Sequence, residues 1–186
     1  MAHFTEDAIK REFAGLLEKY PLSQITVKMI CENCEINRKS FYYHYADIPA
    51  LLGKMVEEDA NRFIADYPSF DSIESGIMAA LDYVLLHKKA ILNISKSLSR
   101  EVYGRNLLTI CDYVVRTYIE ETVQGTPLAP EDKELLIVMY RGEIFGLVTQ
   151  WIMDGMDDSI KELVHRGYSM RQGMTKLMVE RLINKF

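Results

Sequence analysis

Cysteine is scarce in this chain: three residues, an odd number that cannot close into a disulfide framework. Proline is almost as scarce, and its five residues, at 21, 49, 68, 127 and 130, leave long intervals in which helices run uninterrupted. There is no apolar run approaching the ~18–20 residues of a membrane span, and the start, MAHFTEDAIK, lacks the basic then apolar order of a secretory signal. A cytoplasmic protein without a membrane partner is therefore expected. Motifs of catalysis are missing too: no glycine-rich phosphate loop, no Gly-x-Ser-x-Gly and no His-Glu-x-x-His. An enzyme is not expected, and neither is a cofactor. A surplus of positive charge is also lacking, since the net charge is −5. The deficit is uneven, however. Residues 1–56 hold seven Lys/Arg and seven Asp/Glu, whereas the remainder holds 15 and 20, so the acidity is C-terminal.

What is present is helical. Residues 25–45, ITVKMICENCEINRKSFYYHY, show two short helical periods around a four-residue break, the pattern of a helix-turn-helix. Val27, Ile30, Cys31 and Cys34 recur at i, i+3, i+4 and i+7, which lays them along one helix face behind Thr26 as N-cap. Asn37 is placed to cap the second helix, where Phe41 and Tyr45 repeat at i+4 and Ile36 plugs the turn. Outward there remain Arg38, Lys39, Ser40, Tyr42, Tyr43 and His44: cations, hydroxyls and amphipathic rings, and no acid. A helix with this face fits the DNA major groove, where such groups reach base edges and phosphates. With a local balance of +2 the electrostatic pull is modest and confined to one small face.

The run Ser40-Phe41-Tyr42-Tyr43-His44-Tyr45 followed by Leu51-Leu52 resembles the Thr-Leu-Tyr-x-His-Phe ending and downstream Leu of the TetR-type transcriptional regulators, and Thr26, Ile30 and Ile36 match as well. Cys31 and Cys34 stand where that family usually has Ala, Glu35 where it has a turn Gly, and Ile48-Pro49 where it has Lys-Glu. On the acid-free outward face Lys39, Ser40 and Tyr43 are the expected base readers, and the resemblance implies Thr26, Tyr42 and His44 as phosphate contacts. Lys28 and Arg38 join this set, and Lys54 is the candidate replacement for the family's missing Lys. A looser likeness, in FYYH and in GLVTQW at residues 146–151, is to the subgroup related to dihydroxyacetone-kinase regulators.

The rest of the chain keeps the helical period. A first helix is expected from an N-cap at Thr5 to about residue 19, and a fourth from an Asp47 cap to about residue 66, where Tyr67-Pro68 breaks it. Further helices are expected over residues 71–86, 88–95, 99–123, 130–152 and 169–184, with 156–168 left ambiguous by Gly167 and charged flanks. The architecture is thus all-α with about nine helices: a helix-turn-helix domain at 1–50 and a larger regulatory and dimerisation domain at 51–186.

Two short motifs invite a metal. Cys31-Glu-Asn-Cys34 has the spacing of half a zinc site without the other half, and two small apolar core residues is the better reading. Glu162-Leu-Val-His165 is a lone Glu-x-x-His where a metal bundle needs two plus further glutamates, so no metal ligand is assigned. Gly142 and Gly146 share one side of a helix at a cost of about 1 kcal/mol each relative to Ala, which a closely approaching helix would offset. With Phe145 and Thr149 they form the expected dimer interface, because in the family this resembles the last two helices pack across a two-fold. The rival is a tight crossing within the chain. Tyr103, Asn106 and Tyr113 are candidate ligand contacts among middle helices that also hold Asn93, Cys111 and His87. The function expected is a ligand-responsive DNA-binding regulator, a repressor, that meets a palindromic double-stranded operator as a homodimer and answers a small-molecule effector. The rivals are an activator or helical interaction module controlled by a protein partner, and a metal-binding helical-bundle enzyme.

Overall fold

In the computed structural model, residues 2–96 and 100–185 are described, together with the side chains of all of these except 2–4 and 100–103. Among them are ten α-helices and no strand: α1 (Ala2–Leu17), α2 (Val27–Asn33), α3 (Arg38–His44), α4 (Ile48–Asp66), α5 (Ile73–Leu86), α6 (Lys88–Ser95), α7 (Arg100–Thr122), α8 (Pro130–Met153), α9 (Ile160–Met170) and α10 (Met174–Ile183). The tenth helix is α9, formed by the segment that the sequence leaves ambiguous. Gly167 lies inside it, and the break falls instead at Gly173, whose φ of 79° starts α10 from a left-handed residue. Thr5 is not a cap, because α1 begins a turn earlier and carries Thr5 within it.

The chain forms two compact units, Met1–Arg62 with His87–Asn106 and Phe63–Leu86 with Leu107–Phe186, so that α4 and α7 each supply residues to both. In the first, Ile9, Phe13 and Leu16 of α1 bury against Ile30 and Cys31 of α2, Phe41 of α3 and Leu51 and Leu52 of α4, with Ile94 of α6 completing the core. α6, the helix expected over residues 88–95, thus packs into the core of the first unit. Asn93 Nδ2 donates to the carbonyl of Leu17 at 2.7 Å, satisfying one of the open carbonyls at the end of α1. Lys10 is held between Glu6 and Glu58 at 2.9 and 2.8 Å, and Tyr45 Oη donates to Glu6. The hydrogen bond from Lys10 holds the Glu6 carboxyl below the ordinary glutamate range, and burial pushes the Tyr45 hydroxyl up to about 12.

The second unit is built on its two long helices. Val115 and Ile119 of α7 pack on Leu136, Ile137 and Tyr140 of α8, with Ile73 of α5 and Val179 of α10. α5 opens on a reciprocal cap in which the Ser72 and Ser75 hydroxyls each accept the other's backbone N–H. Gly76 allows a close approach, since a Cβ there would lie 2.8 Å from Val114 and 3.1 Å from the Phe70 ring. α8 alone is long and apolar enough, among the described residues, to cross a membrane, yet only 33% of that window is buried. Its inner face fills the core and its outer face is apolar as well.

Candidate functional site

The first candidate site is α3 and the turn before it. Thr26 Oγ1 accepts from Met29 N at 3.2 Å and Asn37 Oδ1 from Ser40 N at 2.9 Å, so each helix of the motif starts on a side-chain cap. Between them α2 closes with paired bonds, Ile36 N to the Cys31 carbonyl and Glu35 N to that of Glu32. That is the Schellman closure, and it puts Glu35 in the left-handed region at φ 54°. Phe41 and Tyr45 point into the core, which turns the remaining side chains of α3 outward.

On that outward face Tyr43 is 79% exposed and Tyr42 55%. Arg38 and Lys39 are exposed and make no ion pair among the described residues. The other cations assigned to DNA differ. Lys28 lies 3.6 Å from Glu32 and Lys54 3.5 Å from Glu57, so their fields are locally offset. The Ser40 hydroxyl donates to Asn37 Oδ1 at 3.2 Å and is engaged in the cap. His44 packs edge-on against Tyr43, with ring centres 5.1 Å apart. Cys31 is in the core, and Cys34 Sγ reaches the Ala8 carbonyl at 3.5 Å; burial raises both thiols above the ordinary cysteine range.

On α8, a Cβ added to Gly142 or Gly146 would meet nothing within 4 Å, so among the described residues no helix crosses closely there. The same face carries exposed Leu135, Val138, Met139 and Met153. Half-buried Phe145 and Thr149 flank it, and Thr149 Oγ1 is buried without a hydrogen-bond partner among the described residues.

Of the ligand candidates, the Tyr103 side chain lies outside the described residues. Tyr113 Oη donates to the Tyr67 carbonyl at 2.7 Å just past the end of α4, its ring edge-on to Phe70. Asn106 is half-buried near the start of α7. Cys111 lines a cavity of about 20 Å³ with Leu81, Val114 and Val148, room for about one water, and burial pushes its thiol up to about 12. His165 Nδ1 meets Glu74 Oε1 at 2.7 Å, joining α9 to α5.

A larger cavity of about 270 Å³ lies among α5, α7, α8, α9 and α10, and no local spacing in the sequence points to it. Ile73, Ile77, Ile144, Leu147, Leu163 and Val164 make it chiefly apolar. Its polar wall is a cluster of hydroxyls: Tyr118 Oη donates to Thr175 Oγ1 at 3.3 Å, and Tyr140 Oη lies 2.6 Å from the same oxygen. Arg171, over the Tyr140 ring at 5.3 Å, pairs with Glu143.

The family model described as "Transcriptional regulator C-terminal region", of TetR type, matches residues 71–173. Among solved structures, "Dihydroxyacetone kinase operon activator DhaS" superposes with a TM-score of 0.69 at 17% identity, covering 96% of each chain. No curated protein matches the chain in sequence.

Proposed function

The chain belongs to the TetR-type transcriptional regulators, and from that premise we propose that it is a cytoplasmic, ligand-responsive repressor that binds a palindromic operator as a homodimer. The observation that carries the DNA reading is the outward face of α3: two cations without ion pairs among the described residues, two exposed tyrosines and no acid. Lys39, Ser40 and Tyr43 read base edges, Ser40 by giving up its bond to Asn37. Thr26, Tyr42 and His44 hold phosphates, with Lys28, Arg38 and Lys54 adding sequence-independent attraction.

One seven-residue recognition helix offers too little contact for tight binding, and a dimer supplies the second copy. The apolar outer face of α8 around Gly142 and Gly146, open within the chain, supports that interface. Regulation then runs through residues 51–186, with α4 as the continuous helix from the reader into the remainder. A ligand that favours one spacing of the two readers weakens operator binding by the factor by which the operator weakens ligand binding.

A second reading, activation in place of repression, is favoured by the structural neighbour, which is named as an operon activator. A reporter driven from the bound promoter separates the two by the sign of its response. Binding itself is checked by randomised-site selection. The expected product is an inverted repeat with half-sites about 34 Å or somewhat more apart, held in a salt-sensitive manner. Failure to enrich any sequence contradicts the proposal.

A further inference from the structure

The cavity among α5, α7, α8, α9 and α10 has features of a built site. At about 270 Å³ it stands just below the ~300–1,000 Å³ of typical small-molecule pockets, more than ten times the apolar void beside Cys111. Tyr118, Tyr140 and Thr175 carry one hydroxyl proton each, and the cluster makes two hydrogen bonds, both centred on Thr175 Oγ1. Tyr118 spends its proton on Thr175. Whichever way the Tyr140–Thr175 bond runs, the other of that pair keeps a proton that no described residue accepts. Tyr140 and Thr175 are 7% and 8% exposed, and both line the cavity, so an unspent donor is buried at its wall. A ligand oxygen at this point can accept from that donor.

Charge narrows the class. Three charged side chains line the cavity, and two of them, Arg171 and Glu143, neutralise each other. The third, Lys176, follows Thr175 directly and makes no ion pair among the described residues. The groups this wall can offer a ligand thus include a buried hydroxyl donor and a cation, with the Tyr168 hydroxyl and the Gln172 amide also on the lining, beside Ile, Leu and Val.

Resting on the reading of the C-terminal unit as a sensor, we propose that this cavity is the effector site and that it takes a small carboxylic acid with an aromatic or branched aliphatic body. The carboxylate accepts from the Tyr140–Thr175 pair and faces Lys176, while the body lies against Ile77, Ile144 and Leu147. The neighbouring small void excludes anything larger than water, which leaves this cavity as the larger of the two described.

Calorimetry on the DNA-free full chain, with benzoate, phenylacetate and 4-methylpentanoate as probes and benzamide and toluene as neutral controls, tests it. At least one carboxylate is expected to bind at least tenfold tighter than either control. Thr175→Val and Lys176→Gln should each weaken it by about tenfold, the scale of one charge-assisted hydrogen bond. Lys176 is exposed, so Lys176→Gln remains informative if Thr175→Val fails to fold. Millimolar concentrations of all three acids without heat, neutral controls binding equally, or undiminished affinity in a folded Lys176→Gln protein would overturn the assignment. Selection of DNA sites by the same preparation is scored separately, so loss of the cavity claim with DNA binding intact is distinguishable from failure of the regulator reading.

Discussion

The α3 face and the α8 face are both unpartnered surfaces of one chain, but they are built from opposite chemistry. α3 has seven residues, is fixed at its start by Asn37 and at its base by Phe41, and shows water two rings and two cations. α8 has 24 residues and shows Leu, Val, Met and glycine. A short polar helix suits an aqueous, charged partner that must be read group by group. A long apolar face with two glycines suits another helix at close range. The contrast teaches that the surface chemistry of an element, more than its length or position, states what kind of partner it fits.

The largest effect should come from the face of α8. Gly146→Glu places its Cβ where no described atom lies within 4 Å, on an exposed face, so the monomer should keep its helical spectrum. Burying that charge against a partner helix costs about 3–5 kcal/mol if it is unpaired, and sedimentation should show monomers at micromolar concentration. A dimer of unchanged strength would place the interface elsewhere. At the base of α3 the test is stability: Phe41→Ala removes a fully buried ring, and loss of about 3–5 kcal/mol is expected in denaturant unfolding. The caps come next. Thr26→Ala and Asn37→Ala should each cost about 1 kcal/mol, with Asn37→Ala also freeing the Ser40 hydroxyl.

Protonation offers a test confined to the first unit. The Glu6 carboxyl is lowered by its hydrogen bond from Lys10, so its stabilisation is complete above the unfolded carboxyl's titration and is lost as pH falls through the folded one. Lys10→Met should flatten the acid side of the stability profile below about pH 5, and an unchanged profile would show that the network carries no linkage. The smallest effect is at the turn. Glu35 sits at φ 54°, where a non-glycine residue pays about 1–2 kcal/mol, so Glu35→Gly should raise stability by up to about 1 kcal/mol after its own chain entropy is subtracted.

The same two regions show what a sequence can disclose. Thr26, Asn37 and Asp47 were legible as caps because a cap is a relation between residues three apart, and all three accept the expected backbone N–H. Asn93 was not legible, because its partner carbonyl lies 76 residues away. The break before α10 falls at Gly173 and not at Gly167, because the two are equally permissive in sequence and only packing decides which takes the left-handed turn, both lining the cavity. Tyr113, a candidate ligand contact by sequence, donates its hydroxyl to a carbonyl past the end of α4, a partner 46 residues away that no local spacing encodes. The cavity itself draws on five helices, and no local spacing encodes it.

The central claim is that the acid-free face of α3 reads sequence. It is met most directly by titrating wild-type protein and Lys39→Ala onto the selected inverted repeat and onto scrambled DNA of equal length, across a range of salt. The account predicts that Lys39→Ala loses about 1–3 kcal/mol on the repeat and much less on scrambled DNA, with relaxed preference at one base pair per half-site. Equal loss on both DNAs, with a shallower salt slope, would make Lys39 a phosphate contact and contradict the account.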